Sequence, residues 1–291
     1  VGFYVEGFTD LQFDDVKFSL IREPVTGIEL SAGMLTLEAG ERGQLQAAVL
    51  PINASNKQVR WTSSDPQIAS VDETGAVTGR RAGAVTITAV SDADEGIAAQ
   101  ATVTVRPLPK YPKIDLKKAI KDKKHWTDAD AVDFPKGNVR FAGDGVYGYE
   151  KEKYGSGLLR FKAKLGNYDG GWYGFALRSD RTGDPTWVNA NKGCLVVVKE
   201  DQIELQWWKP GQTMARIIPN EALAAGGEYD IEIGVVRVDG GQRFILKVDG
   251  DVILNELDAD PANPIGAQGY FNVYHYAGSG NAIELKAAKP K

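Results

Sequence analysis

The sequence predicts an all-β protein built as two sandwiches of unequal size, a small one followed by a larger two-sheet jelly roll. Three observations carry this. Short segments with period-2 alternation recur throughout, among them AVTITAV (84–90), ATVTVRP (101–107), GLLRFKAKL (157–165), YDIEIGVVRV (229–238) and RFILKVDG (243–250). They are rich in Val, Ile, Thr and aromatic residues and are separated by Gly, Asp and Asn, the residues turns favour. Helical signal is confined to two short runs, LKKAIKDKK (116–124) and NEALAAG (220–226).

At 291 residues the chain exceeds one typical domain. Residues 24–107 place roughly six or seven short strands in about 80 residues, the size of a small sandwich. The segment PLPKYPK (107–113) has three prolines in seven residues, and 108–113 is read as a semi-rigid linker. Residues 114–291 have the length, strand density and glycine-rich turns of a jelly roll. Residues 1–23, too short for a core of their own, echo the pattern of GYFNVYHYAGSGNAIELKA (269–287). They read as terminal strands of a preceding related module; the alternative is that they join the domain that follows.

Composition removes several function classes. The net charge of −5 lacks the basic footprint of a nucleic-acid binder. No apolar run approaches the ~20 residues needed to span a bilayer. The first residues show no basic n-region or apolar h-region, so any export leader is expected outside this sequence. One cysteine, Cys194, excludes an internal disulfide, and its apolar neighbours in CLVVVK predict a buried thiol. Two histidines without cysteine partners argue against zinc, and no cofactor is expected. The loop aspartates Asp144, Asp169, Asp180 and Asp184 could hold a structural calcium, although aspartate is common in turns.

Within 24–107 stand Trp61, Ser63, Ser64, Asp65, Ile68, Ala69, Val71, Gly75, Val77, Gly79 and Gly83. By these residues and their order the segment resembles the group 2 bacterial immunoglobulin-like family. Trp61 is then expected in the core. From about residue 138 the chain carries FAGDGVYGYE (141–150), GLLRFKAKL, GGWYGFALRS (170–179), CLVVVKEDQIELQWW (194–208), YDIEIGVV and FILKVDGDVI (244–253). By these stretches it resembles concanavalin A-like or laminin G-like sandwiches attached to secreted bacterial polysaccharide-degrading enzymes, levan-binding modules included.

Four of the six tryptophans lie between Trp172 and Trp208, among arginines and asparagines. Flat rings stack on the C–H faces of sugars, and planar amide or guanidinium groups bond hydroxyls. Alternation in WYGFALR puts Tyr173, Phe175 and Leu177 inward, with Trp172, Gly174, Ala176 and Arg178 outward over room for a ligand. In IELQWW it puts Gln206 and Trp208 on the polar face and Trp207 in the core, with Lys209 following. Trp187, Asn189 and Asn191 fall in a loop, where a ring tucked into the core is the equal alternative. In YFNVYHY, Tyr274 and Tyr276 share the outer face with Tyr270 and Asn272. Arg160, Lys162 and Lys164 form a basic stripe; beside Arg178 and Lys209 it would favour an acidic branched glucan such as xanthan.

No catalytic residue is assigned. Asp230/Glu232 and Glu200/Asp201 lack the spacing of a glycosidase pair, and no nucleophile, phosphate-loop or metalloprotease motif appears. The expectation is a non-enzymatic, extracellular polysaccharide-binding portion of a longer bacterial chain that also carries a catalytic module. The alternatives are an adhesion stalk with a protein partner and, behind it, a hydrolase or lyase domain.

Overall fold

The structure, a computed structural model, describes residues 23–122, 124–127, 132–180, 193–209, 212–239, 241–258, 265–278 and 280–288; for 208, 209 and 212–215 only the backbone is described. Almost all of residues 1–23, the positions Asp184, Trp187, Asn189 and Asn191, and the side chains of Trp208 and Lys209 lie outside the described part.

The first part has strands β1 (Gly27–Leu30), β2 (Met34–Glu38), β3 (Arg42–Gln44), β4 (Ala47–Leu50) and β5 (Val59–Ser63). It continues with β6 (Ala69–Val71), β7 (Ala76–Gly79), β8 (Gly83–Ser91) and β9 (Ala98–Arg106). A four-stranded sheet, β2-β9-β8-β5, faces a three-stranded one, β3-β7-β6, and β1 pairs with β4. Alternation in β8 and β9 places Val85, Ile87, Val103 and Val105 inside. Trp61 packs half-buried on that core. Gly75, at φ +82°, has no room for a side chain, since a Cβ would come within 2.3 Å of the Leu45 carbonyl and 2.9 Å of the indole.

The larger part begins with β10 (Lys113–Asp115), helix α1 (Lys117–Lys121), β11 (Val132–Asp133), β12 (Val139–Phe141) and β13 (Gly145–Gly148). Next come β14 (Gly157–Leu165), β15 (Trp172–Ser179), β16 (Cys194–Val198), β17 (Gln202–Lys209) and β18 (Gln212–Pro219). The chain closes with β19 (Glu228–Val238), β20 (Gly241–Val248), β21 (Asp251–Asp258), β22 (Tyr270–Tyr276) and β23 (Ile283–Ala287). One sheet runs β11-β12-β23-β14-β19-β20-β21, with β10 added parallel to β14; the other, six-stranded, runs β13-β22-β15-β16-β17-β18. Phe161 of the first sheet meets Phe175 and Phe271 of the second at 5.3 and 5.8 Å. Trp207 packs on Phe244 at 5.4 Å, inside as its alternation requires.

Two local expectations change. NEALAAG forms no helix: the Asn220 amide donates to the Lys199 and Leu223 carbonyls at 2.6 and 3.0 Å, and its Oδ1 accepts from the Leu223 amide at 2.9 Å. Such side-chain bonds compete with the helical pattern. The proline-rich segment is stitched to the larger sandwich. Leu108 and Tyr111 pack on Leu158, Val236 and Ile245, and the Pro112 carbonyl accepts from the Leu158 amide at 2.8 Å.

The two sandwiches also touch directly. Arg243 donates to Glu38 at 2.7 Å, Asn255 to the Ala39 carbonyl at 3.0 Å, and Arg81 pairs with Asp251. Val252 is buried in the smaller core, and Gly40, at φ +82°, leaves space for it, since a Cβ there would lie 2.5 Å from the valine.

Candidate functional site

The outer face of the six-stranded sheet collects most of the described candidates. Cross-strand register aligns Val146, Tyr274, Gly174, Val197, Glu204 and Ile217 in one row. The next row holds Asn272, Ala176, Leu195 and Gln206. Trp172 lies opposite Tyr276 on the other side of the first row. Sequence alternation thus groups Trp172, Tyr274, Tyr276 and Gln206 on one face.

The centre of that face is covered. Val146, Ala176, Leu195, Val197 and Tyr274 are each at most 4% exposed and form an apolar cluster outside the main core, with Trp172 and Tyr276 packed half-buried against it. The indole stacks on Tyr276 at 4.9 Å and lies 5.9 Å from Tyr274. It also folds across Gly174: a Cβ there would come within 3.0 Å of Trp172 Cζ3, 3.1 Å of Leu195 and 3.1 Å of Tyr274. The room that Gly174 offers is therefore filled by the protein's own ring, and Ala176 is buried as well. What remains accessible is the partly open edge of the Trp172–Tyr276 stack.

Two strands across, about 10 Å away at the usual strand spacing, Glu204 anchors a polar cluster. Its carboxylate accepts from the amides of Gln202 and Gln206 at 2.5 and 2.7 Å, and from the Lys199 ammonium. Burial works to raise its pKa, but these bonds outweigh burial and hold it below the usual carboxylate range, so Glu204 is ionised. Gln202, Glu204 and Lys199 were not among the sequence candidates. The signal was present as polar residues at every second position of QIELQ, which places three hydrogen-bonding groups side by side.

Arg178 is not on this face. Alternation assigned it outward, but the register between β15 and β22 shifts between Ala176 and Ser179, and Arg178 sits at φ +53°. That bulge reverses the side-chain direction. The guanidinium, in a residue 4% exposed, enters the core and crosses to the opposite sheet. It donates to the Val235 carbonyl at 2.6 Å, and to the Gly266 carbonyl and Gln242 Oε1 at 3.2 Å each. Burial lowers its pKa.

The basic stripe of β14 is neutralised. Arg160, Lys162 and Lys164 stand opposite Glu232, Asp230 and Glu228 of β19 in register, with ion pairs Arg160–Glu232 at 3.8 Å and Lys162–Asp230 at 3.6 Å. The stripe belongs to the other sheet from Arg178 and Lys209, so the conditional link to an acidic polymer fails. The same pairs occupy Asp230 and Glu232 as structural ions. Among the described residues no group of three or more metal-type ligands gathers; Asp144 accepts from the Gly278 amide at 3.2 Å and Asp169 from Asn281 at 2.6 Å. Cys194 is fully buried and its thiol pKa is pushed up to about 12 by that burial, with no nucleophilic role.

Beneath the face, His275 is fully buried against Tyr173 at 5.4 Å. Its Nδ1 lies 3.4 Å from Asp144 Oδ1, close enough for attraction but not aligned, and among the described residues neither ring nitrogen has a hydrogen-bond partner. Burial lowers its pKa, against the opposing pull of Asp144. An unfolded histidine titrates near ~6.5, so protonation favours the unfolded chain. The stabilisation is complete above that value and is lost as pH falls from it through the lower folded value. The urea midpoint is expected to drop as pH falls below about 6.5, and His275→Gln to flatten the drop. Equal slopes in both proteins would refute this assignment.

The comparisons agree on the smaller sandwich. Residues 24–105 match the Bacterial Ig-like domain (group 2), and this segment is such a domain. A 3-O-alpha-D-galactosyl-alpha-L-arabinofuranosidase of Bifidobacterium longum subsp. longum is 49% identical over 82 residues, 28% of this chain and 7% of that enzyme. The curated relatives match only the Ig-like part, and the chain spans under a tenth of the first of them. Among solved structures, the carbohydrate-binding module CBM66 from Bacillus subtilis aligns at 15% identity, covering 51% of this chain and 84% of its own, with a TM-score of 0.36. The alginate lyase Aly36B aligns at 13% identity, covering 61% of this chain and 91% of its own, with a TM-score of 0.41. The sandwich assignment of residues 113–287 rests on their own sheet order.

Proposed function

We propose that this chain is a non-catalytic, glycan-binding part of an extracellular bacterial polysaccharide-degrading enzyme. The Ig-like domain acts as a docked support, and the outer face of the six-stranded sheet binds the sugar. The observation that carries this reading is the half-exposed Trp172–Tyr276 stack beside the Glu204–Gln206 cluster on one face. A ring edge for C–H contact and the amides of Gln202 and Gln206, held in place by the buried Glu204 carboxylate, for hydroxyls are the two parts of a weak sugar site. Tyr274 acts as the buried underlay of the stack. Trp187, Asn189, Asn191, Trp208 and Lys209 remain proposed contacts. Secretion and an attached catalytic module are part of the proposal, supported by the glycosidase relative of the Ig-like domain.

Calorimetry of the chain against neutral β-glucans, arabinans, levan, alginate and xanthan tests the reading. Binding to at least one, with no reducing ends or unsaturated products released, is the expected result. No heat with any glycan would sink it, and product release would replace it with an enzyme.

A further inference from the structure

We propose that a lysine-lined basin at the end of the larger sandwich, separate from the aromatic face, binds the carboxylate or sulfate groups of an anionic polysaccharide. The proposal rests on the reading of this sandwich as glycan-binding.

The basin is lined by Lys117, Lys118, Lys121, Lys124 and Lys151 around Asp122 and Tyr149, with Glu152 at its margin. Helix α1 presents its lysines outward because Ala119 and Ile120 are buried on its other side, and the Trp126 indole N–H donates to the Ala119 carbonyl at 2.9 Å. The carboxylate at the centre is fully engaged. Asp122 accepts from the Lys124 amide at 3.1 Å, the Tyr149 hydroxyl at 3.0 Å and Lys151 at 3.4 Å, and meets His125 Nδ1 at 2.8 Å. Among the described residues Lys118 pairs with Glu152, at 3.7 Å. Lys117, Lys121 and Lys124 have no ion pair among the described residues. Crowding these exposed ammonium groups opposes folding, yet a concave surface with five lysines against two carboxylates attracts anions.

The chemistry of the lining selects the partner. The basin's aromatic ring, Tyr149, is 1% exposed, so no face is available to stack nucleic-acid bases. The apolar residues of α1 are buried, so no wedge is offered to a lipid surface. Lysines, which are point charges on flexible stems, suit acidic groups spaced along a sugar chain. Lys153, over the Tyr270 ring at 4.9 Å, marks this end of β22, while Tyr276 closes the other end, roughly 20 Å away for six residues of strand.

Affinity electrophoresis of the whole chain in gels containing dextran, dextran sulfate or alginate tests this. The wild type is expected to be retarded more by the anionic polymers than by dextran, and the excess to fade as salt is raised. Replacing Lys117, Lys121 and Lys124 together by glutamine should lower affinity for the anionic polymers about tenfold and leave neutral-glycan binding unchanged. Trp172→Ala should weaken neutral-glycan binding. An unaltered anionic affinity in the lysine variant, or salt-insensitive retardation, would overturn the basin alone. Tighter binding of duplex DNA or phosphatidylserine vesicles than of either anionic polymer would overturn the choice of partner. Absence of binding to every glycan would remove the underlying reading as well.

Discussion

Arg178→Ala is expected to destabilise the larger sandwich by about 3 kcal/mol and to leave glycan affinity unchanged. The guanidinium ties β15 to the Val235 carbonyl of β19, to Gln242 of β20 and to the Gly266 carbonyl, so its loss leaves the buried Val235 carbonyl unpaired and opens a void between the sheets. Relief from desolvating a charge offsets part of this cost, but an orphaned buried carbonyl and a cavity outweigh it. For a unit of this size the change corresponds to roughly 10 °C in melting temperature. Arg178→Lys is expected to recover little, because one ammonium cannot reach three acceptors held in different directions. A thermal midpoint within a degree or so of wild type would refute the structural role. Loss of binding at unchanged stability would return Arg178 to the site.

Trp172→Ala is expected to weaken binding to a cognate glycan by about tenfold or more, since it removes the ring edge and exposes the cluster beneath. The indole holds its pose through Tyr276 and the missing Cβ of Gly174. Gly174→Ala is therefore a subtler companion: the added methyl pushes on Trp172, Leu195 and Tyr274 and should tilt the indole. A smaller loss of affinity and a shifted tryptophan fluorescence are the expected readouts. Full affinity in Trp172→Ala would remove the aromatic face from the proposal.

The period-2 pattern of WYGFALR, IELQWW and YFNVYHY was enough to separate core from outer face at Tyr173, Phe175, Trp207, Phe271 and Val273. It was equally right for Leu159, Phe161 and Ala163 against their charged neighbours in β14. It failed at Arg178, because alternation presumes an unbroken ladder and a bulge shifts every later direction by one. Gly174 shows a different limit. A small residue in a strand announces close approach, but not whether a ligand or the protein's own Trp172 approaches.

By itself the sequence determined the all-β class, the Ig-like segment and which strand faces are apolar, because these depend on local alternation and on motif spacing within one domain. Only the tertiary structure decided that the basic stripe is cancelled by β19, that Arg178 is a core tie and that the lysines of α1 surround an already satisfied Asp122. Each of those outcomes depends on which distant strand supplies the neighbouring charge or carbonyl. Partner identity across a sheet or between sheets leaves no trace in local periodicity.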